Sequence, residues 1–575
     1  MAMILKKVER PRELKWYQAS SMLYGDWGTS KAYVLGIAFA LAGHGSWALL
    51  GLMSLLTALV GFCYTIICRI YPDGGGVYSS VKSRSPLLAV VGALLLMANY
   101  VVTVSLSTLD AFHYLDVPNP QIWAIVTIVF IGAINWLGPT KSSNLSMPIT
   151  LLASGSAIVL FLFTLPHLTH IELEWPTGGW YLNWKNFVGI VLALSGVEVI
   201  ANMTGIMELP VEKTSKRAIW PVLLEVSILT FLLGVAMNAI PGLTGHTEDM
   251  LRALGSYYIG PWYGVLISVF FGFLLISAGN TAIQGLVSIQ FLMAKDRELP
   301  PVFARLNRFG MPGLALVVAT WVPVVVLIVD HDIVGLAALY AIGVVGAIAL
   351  NLGTCATNFN IPLKRWERAV LIAGTVIMFF IELTIAVEKR NALFYAASIL
   401  MVGLILRSIA KMVAPVPVPS LVPTAHVLTV SEAKNIAPLC QSSSLVALKG
   451  LNLNLISDAA MRAKVRGENS VYLGYVEEVP PGAELPEEFQ PSEESLKIFA
   501  KAEEVLEKEG ITVIPVWQVG DNPGKTIAYA ARELGVNTVL IGTTRRSALI
   551  NLLRGDVLRT LTTHLPKECR LIISS

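Results

Sequence analysis

The sequence predicts an all-α membrane domain followed by a smaller α/β domain on the cytoplasmic side. Of its 575 residues, 54% are hydrophobic and only 14% are charged, and the mean hydropathy is +0.65. This composition excludes an ordinary soluble protein. Twelve apolar runs of about 20 residues follow one another up to Arg407, each long enough to cross a bilayer as a helix. After Arg407, prolines and then alternating strand and helix patterns replace these runs.

The loops between the twelve predicted transmembrane helices differ in charge. Lys and Arg are concentrated in the N-terminal segment and in alternate loops, a bias that marks the cytoplasmic side. We therefore expect a multi-pass protein of the cytoplasmic (inner or plasma) membrane, embedded in the lipid bilayer, with both termini in the cytoplasm. The predicted spans are residues 16–43, 46–70, 85–114, 120–138, 146–166, 184–207, 219–241, 258–293, 312–329, 333–354, 367–386 and 390–409.

The change in composition also predicts the domain boundaries. We assign residues 1–411 to the transmembrane domain, 412–424 to a stiff proline-rich linker and 425–575 to the cytoplasmic domain. Alternating strands and helices in the last region predict a parallel sheet flanked by helices. The predicted strands are residues 445–448, 471–476, 512–519, 538–541 and 570–573, and the predicted helices are 451–465, 493–509, 525–534 and 549–561.

The first apolar run contains a polar interruption, Leu23-Tyr-Gly-Asp-Trp-Gly-Thr-Ser30. A carboxylate such as Asp26 inside a membrane helix costs roughly 2.5–3.5 kcal/mol on insertion scales, and internal glycines free backbone groups that need other partners. Such a break is typical of an ion or substrate site, to which Tyr33 adds a hydroxyl. The structural alternative is a kinked helix whose Asp faces the cytoplasm.

A second interruption, Leu194-Ser-Gly-Val-Glu198, lies in the sixth run, five spans after the first. Interrupted helices at corresponding positions of two five-span halves predict a 5+5 inverted repeat with a site at the midplane, where freed carbonyls meet the substrate. A lone buried carboxylate at Glu198 needs a proton or a cation. The structural alternative is that Gly196 only permits close helix packing.

The third run carries a stripe of polar side chains. Its members are Asn99, Thr103, Ser107 and Asp110, with Tyr100 beside them. Steps of four, four and three residues place the four on one helix face. Singly, such hydroxyls often bond only to their own backbone or bridge two helices. Together they predict oxygen ligands that face the two interruptions, and Tyr340, in Tyr340-Ala-Ile-Gly of the tenth run, offers another hydroxyl.

These motifs carry a resemblance to known transporters. The segment from Tyr24 to Ser30, together with Tyr33, resembles the first-helix signature YGDxGTSxxY of the KUP/HAK/KT potassium transporters. The motifs of the third, sixth and tenth runs resemble those of KimA-type potassium importers of the APC superfamily, which implies a LeuT/APC-like fold and a homodimer. The resemblance implies that potassium is the bound metal ion, held by Asp26, Tyr33, Asn99, Tyr100, Thr103, Ser107, Ser195 and Tyr340, with proton coupling by Glu198 and Asp26.

Two residues near these motifs depart from the family patterns. Asn99 stands where the KimA-type importers have an acid, and Lys31 stands where the KUP proteins have proline. We expect the Lys31 ammonium either to compete with a transported cation or to extend away to water.

The sequence therefore predicts secondary active potassium uptake by K+/H+ symport, with alternating access around a site between helices 1 and 6. The main alternative is an APC-type amino acid or polyamine permease, because a shared fold does not determine the substrate. Asp26 would repel a substrate carboxylate but would tolerate a polyamine. A second alternative is a membrane receptor or sensor with a ligand-binding tail. We find no nucleophile–base pair, metal-ligand spacing or intact P-loop, so we expect no enzyme and assign no catalytic residues.

The C-terminal region resembles the universal stress protein family, which has a Rossmann-like fold and often binds ATP. That family holds phosphate with GxxG, nine residues and then G-Ser/Thr; here Gly542, Arg545 and Gly555 mark a weakened version of the pattern. We expect a dimerisation or regulatory module, with ATP, a cyclic dinucleotide or no ligand as open alternatives. No cofactor beyond the transported K+ and H+ is required, and no nucleic-acid partner is expected.

Overall fold

The computed structural model describes residues 6–7, 11–137, 142–170, 173–240, 242–307, 309–413, 427–436, 442–480, 485, 488–543 and 557–574. Among these residues, eight helical segments are long and apolar enough to cross a membrane, or nine if the bent pair Trp180–Gly189 and Val191–Ile206 is one span. The helices of this part are α1 (Trp16–Trp27), α2 (Ser30–Ala42), α3 (Ser46–Ile70), α4 (Val77–Lys82), α5 (Pro86–Tyr114), α6 (Pro120–Trp136), α7 (Ser142–Thr164), α8 (Trp180–Gly189), α9 (Val199–Asn202), α10 (Val211–Ala236), α11 (Met250–Tyr258), α12 (Pro261–Lys295), α13 (Gly313–Val329), α14 (Ile333–Thr357), α15 (Arg365–Glu388) and α16 (Arg390–Val413).

Each predicted apolar run coincides with a helix or a pair of helices. The first run is divided between α1 and α2, the sixth between α8 and α9, and the long eighth run corresponds to α12, a helix of 35 residues. The short helices α4 and α11 lie in connecting segments and were not predicted, because no long apolar run marks them. The helical character of the membrane domain is therefore confirmed.

The first interruption separates α1 from α2. Gly28 and Thr29 lie between the two helices. Hydroxyl groups bond to the carbonyls of the preceding turn: Thr29 Oγ1 donates to the Asp26 carbonyl, and Ser30 Oγ donates to the Trp27 carbonyl over 2.7 Å. These bonds satisfy backbone groups that no water in the bilayer core would satisfy.

The second interruption is sharper than the first. Helix α8 is bent by 44° relative to Val191–Ile206. A 3₁₀ turn ends at Leu194, Ser195 has an extended backbone, and Gly196 has a φ of +84°, in the left-handed region that glycine adopts without strain. Helical structure resumes at Val199 in α9. The predicted interruption of this helix is present.

The C-terminal domain contains a five-stranded sheet. Its elements, with two short outlying strands, are β1 (Lys6–Lys7), α17 (Val430–Ile436), β2 (Ser444–Leu448), α18 (Leu453–Arg466), β3 (Ser470–Glu478), β4 (Glu488–Phe489), α19 (Glu493–Lys508), β5 (Thr512–Gly520), α20 (Pro523–Leu534), β6 (Thr538–Gly542), α21 (Val557–His564) and β7 (Arg570–Ser574). The strand order is β5-β3-β2-β6-β7, and every neighbouring pair is parallel.

This parallel α/β domain confirms the predicted fold class of the region. Asn452, Ser492 and Asn522 begin α18, α19 and α20 by accepting a hydrogen bond from a backbone N–H of the first turn. Of the predicted helix 549–561, only the part from Val557 is described. Residues 414–426, which include most of the predicted linker, lie outside the described residues.

The two domains contact each other at the end of α12 and at the N-terminal segment. Strands β1 and β4 pair antiparallel. Phe291 of α12 belongs to the same buried hydrophobic cluster as Phe489 and Trp517 of the C-terminal domain. The Lys295 ammonium lies 4.9 Å from the centroid of the Phe489 ring. Neither short strand was predicted from the sequence.

Candidate functional site

The two helix interruptions lie against each other in the buried core. A Cβ added to Gly196 would lie 2.7 Å from the Trp27 amide nitrogen and 2.9 Å from the Asp26 Cβ and Cγ. Only glycine suits this position, because the close approach is combined with a positive φ. The interruption that carries Asp26 and the interruption that carries Ser195 and Glu198 therefore form two halves of one site.

Hydroxyl groups surround the Asp26 carboxylate. Ser195 Oγ donates to Asp26 Oδ1 over 3.4 Å, and Tyr340 OH in turn donates to Ser195 Oγ. The Tyr33 hydroxyl interacts with Thr29 and Ser195 and lies within electrostatic reach of Asp26. These five side chains are at most 2% exposed. One carboxylate with several neutral oxygens is the kind of ligand set that replaces the hydration shell of a monovalent cation.

Glu198 is the second carboxylate of the site. Its Oε1 accepts a hydrogen bond from Asn99 Nδ2 over 3.0 Å, whereas Oε2 has no hydrogen-bond partner among the described residues. Thr103, one turn along α5, donates to the Asn99 carbonyl over 2.9 Å. The charges of Glu198 and Asp26 also interact with each other, and this interaction is repulsive when both are ionised. Two buried acids so placed call for a cation or a proton.

Two of the predicted ligands, Tyr100 and Ser107, form no hydrogen bond to Asp26 or Glu198 among the described residues. Tyr100 OH accepts a hydrogen bond from Asn202 over 3.2 Å, and its ring lies 2.9 Å from the position that a Cβ of Gly285 on α12 would take. The ring of Tyr100 therefore packs against α12, while its hydroxyl bonds to α9 of the second interrupted helix. Ser107 is buried further along α5, and the hydrogen bonds of the described residues do not join it to either carboxylate.

Lys31 forms a buried ion pair that the sequence did not predict. Its Nζ lies 2.7 Å and 2.6 Å from the two carboxylate oxygens of Glu225 on α10, and 3.0 Å from Tyr24 OH. Tyr24 and Ser154 also donate to Glu225 Oε1, over 2.9 Å and 3.3 Å. Lys31 is 0% exposed. The expected extension to water is therefore wrong, and the Lys31 ammonium bonds to Glu225 rather than to Asp26.

Glu225 was missed because its role depends on a distant partner. The available signal was a single acid inside the seventh apolar run. An acid and a lysine on apolar membrane helices each need a counter-charge, so their pairing could have been inferred from the energetic cost of an unpaired charge. The pair neutralises the ammonium that stood closest to the first interruption in the sequence.

Open space adjoins the first interruption. Gly25 is buried, yet a Cβ added to it would meet nothing within 4 Å beyond its chain neighbours and its own helix backbone. A Cβ on Gly28, three residues later, would instead lie 2.6 Å from the Tyr24 ring. Gly25 is therefore less tightly packed than Gly28.

Most of the predicted phosphate-binding pattern lies outside the described residues. Gly542 ends β6 as predicted, whereas Arg545 and Gly555 lie outside the described residues. A cleft beside the end of β2 is lined by two carboxylates, Glu493 and Glu494, and by a single lysine. An excess of negative charge disfavours a polyphosphate there. Nucleotide binding stays a prediction.

Fold and site together define a class of protein. Interrupted helices that meet around buried polar groups, within a bundle of apolar helices, are the architecture of secondary membrane transporters. Residues 14–426 match the family described as amino acid permease, and residues 452–571 match the universal stress protein family. The chain belongs to the amino acid permease family of the APC superfamily and carries a C-terminal universal stress protein domain.

One relative of this chain is an uncharacterized protein of Methanocaldococcus jannaschii. The two are 26% identical over 316 residues, which cover 51% of this chain and 71% of the relative. The similarity adds no substrate. A membrane transporter of the APC kind, with a parallel α/β domain at its C-terminus, is what the family and the fold establish.

Proposed function

We propose that the protein takes up potassium across the cytoplasmic membrane by K+/H+ symport. The observation that carries this proposal is the balance of buried charge. Asp26 and Glu198 meet at the paired interruptions, while Lys31 is neutralised by Glu225. The site is therefore acidic, and a substrate carboxylate would find no cationic partner in it among the described residues. A small cation would be stabilised there.

The proposal includes a topology of twelve crossings. The segment Trp16–Ile70 divides into two spans at Gly43–Gly45, the bent pair α8–α9 counts as one span, and the shorter apolar helices α6 and α13 each cross once. With both termini in the cytoplasm, the interrupted helices become the first members of two five-helix repeats. Alternating access then arises when one repeat moves against the other around the shared site.

The site residues divide between the ion and the proton. Asp26 and the hydroxyls of Ser195, Tyr340 and Tyr33 bind potassium, whose selectivity depends on the number and field strength of such oxygens. Glu198 carries the proton, because its Oε2 has no protein partner among the described residues. Proton release follows when the site opens to the cytoplasm and water stabilises the carboxylate.

The family match favours a second candidate, an APC-type amino acid or polyamine permease. A polyamine would place ammonium groups against Asp26 and Glu198 as readily as a metal ion. A zwitterionic amino acid would bring a carboxylate near both acids, so its binding requires one acid to be protonated. The sensor alternative requires binding without transport.

Growth rescue of a potassium-uptake-deficient cell at low potassium tests the proposal. We expect the wild type to restore growth and Asp26→Asn to fail, because the substitution removes the charged ligand. Glu382→Gln is the matched control. It neutralises a half-buried carboxylate on α15, whose Oε2 has no partner among the described residues and which bonds to none of the site residues.

The possible results separate the candidates. Rescue by both the wild type and Asp26→Asn would contradict the assignment of the site. Failure of the wild type, combined with uptake of a radiolabelled amino acid or polyamine by reconstituted vesicles, would favour the permease. Ligand binding without measurable flux would favour the sensor.

A further inference from the structure

A buried carboxylate outside this site lacks a partner. Asp110, near the C-terminal end of α5, is 0% exposed, and neither of its oxygens has a hydrogen-bond partner among the described residues. An unpaired carboxylate in a membrane helix is costly unless it meets a cation or a proton. Tyr33 lies within electrostatic reach of both Asp110 and Asp26. Asp110 therefore interacts electrostatically with Tyr33 of the central site but, among the described residues, forms no hydrogen bond to that site.

A cap made of residues 247–258, which include α11, lies over Asp110. A Cβ on Gly36 of α2 would lie 2.0 Å from the Thr247 carbonyl oxygen, so the cap sits directly on α2. Tyr114, one turn beyond Asp110, donates to the Ala32 carbonyl over 2.7 Å and accepts from the Leu251 amide over 3.4 Å. Its hydroxyl thus joins α5 to α2 and to the cap.

The cap supplies no cationic partner to Asp110 among the described residues. Glu248 and Asp249 both lie within electrostatic reach of Asp110. The ion pairs at the cap are His113–Glu248 at 2.6 Å, His246–Asp249 at 2.9 Å and Arg252–Asp116 at 3.0 Å. Each described basic group at the cap is therefore already paired, and none is bonded to Asp110. Asp110 therefore has no described counter-charge, which a mobile cation would supply.

We propose that Asp110 is the charged ligand of a second cation site, between the cap and Asp26, which takes a monovalent cation of the alkali-metal or ammonium kind. Tyr33 contributes a hydroxyl that faces both sites. The cap must move for a cation to enter, because Asp110 is fully buried in the arrangement seen here. This second site would receive the cation before it reaches Asp26. That role rests on the proposed function, whereas the existence of the site does not.

Thermal unfolding of the purified full-length protein in detergent tests the site without transport. Rubidium chloride, ammonium chloride and choline chloride are compared at equal ionic strength for Asp26→Asn, Asp110→Asn, the double variant and the control Glu382→Gln. We expect rubidium or ammonium, but not the bulky choline, to raise the melting temperature of Asp26→Asn through the remaining Asp110 site. The double variant should lose this response.

Uptake by reconstituted vesicles tests the access role. Asp110→Asn should raise the KM for the cation roughly tenfold, the scale of one lost charged contact, with little change in the maximal rate. Asp26→Asn should abolish uptake. Asp110→Glu keeps the charge and should keep both the wild-type KM and the ion response, which separates a role in binding from a role in packing.

Each outcome decides the question. Equal ion responses in Asp26→Asn and the double variant would overturn the Asp110 site, as would an Asp110→Glu protein that behaves like Asp110→Asn. An ion response that disappears only in the double variant, in a protein that transports no cation, would support the site while removing the proposed function. A response to ammonium alone would assign the site to ammonium groups rather than to metal ions.

Discussion

Among the described charged side chains of the membrane domain, those near the first interruption differ in their partners. Lys31 and Glu225 are bonded to each other, whereas Asp26 and Glu198 bond only to neutral hydroxyl or amide groups. A paired charge holds helices together, while a carboxylate with only neutral partners retains the capacity to bind a cation or a proton. At the scale of residues, this difference separates Glu225, which has a cationic partner, from Asp26 and Glu198, which remain available to a cation or a proton.

The role of Glu198 leads to a prediction about coupling. Glu198→Gln should leave cation binding largely intact and remove the dependence of uptake on a pH gradient, because the amide cannot carry the proton. Rubidium uptake by reconstituted vesicles, measured with and without an inward proton gradient, checks this. Proton-dependent uptake that is unchanged in Glu198→Gln would exclude the residue from coupling, and Glu382→Gln controls for the loss of an acid on a membrane helix outside the site.

The Lys31–Glu225 pair predicts a stability effect. Lys31→Met or Glu225→Gln alone should lower the free energy of unfolding by about 3–5 kcal/mol, because each leaves a buried charge without its partner. The double variant Lys31→Met/Glu225→Leu should recover most of that loss. Melting temperatures in detergent measure the effect. A double variant that is stable but inactive in uptake would show that the pair also takes part in transport.

At the scale of elements, the segments that interrupt the two helices pack together as one structural unit. Ser195, Gly196 and Glu198 belong to a non-helical segment that fits against the turn between α1 and α2. Hydroxyls of that turn satisfy its own freed carbonyls, so the interruption is stable in a dry core. The fit depends on one residue without a side chain.

A substitution at Gly196 tests this fit. Gly196→Ala should destabilise the protein by about 1–3 kcal/mol from its positive φ and by a similar amount from overlap with Asp26 and Trp27. It should also lower uptake, because it separates the two halves of the site. Gly155→Ala is the matched control, since a Cβ on that helical glycine of α7 would meet nothing within 4 Å. Equal melting temperatures for the two variants would contradict the close fit.

At the scale of the whole molecule, the C-terminal domain is joined to the membrane domain through a small apolar contact. Phe291 on α12 and Phe489 on β4 share one buried cluster, and Phe489 stacks on Trp517 with ring centroids 6.0 Å apart. An ion pair between Lys525 and Glu13, at 2.9 Å, accompanies it near the N-terminal segment. The apolar part excludes water and is the stronger element of the contact.

This contact predicts a change in local stability. Phe291→Ala removes the membrane-helix side of the cluster, so amide hydrogen exchange in peptides that cover β4 should become faster. Lys525→Ala is the control and should leave exchange nearly unchanged, because exposed ion pairs contribute only about 0–1 kcal/mol. Equal exchange in both variants and the wild type would show that the apolar contact does not hold the domains together.

The elements differ in how well the sequence could predict them. The apolar runs coincide with the helices, and the alternation after residue 425 gives the parallel sheet, because burial imposes a period on each sequence segment. The β1–β4 pair and the Phe291 contact were not predictable, since they join residues that are hundreds of positions apart. Among the predicted site residues, hydrogen bonds join Asp26, Ser195 and Tyr340, while the Tyr100 hydroxyl bonds to Asn202 of α9.

The sequence by itself determined that this is a polytopic membrane protein with two interrupted helices and an α/β tail, because hydropathy, glycine placement and strand periodicity are local properties. Only the tertiary structure decided which charges meet. It placed Glu225 on Lys31, set Gly196 against Asp26 and left Asp110 without a partner among the described residues. The physical reason is that the state of a buried charge depends on its neighbours in space, and those neighbours come from helices far apart in the chain.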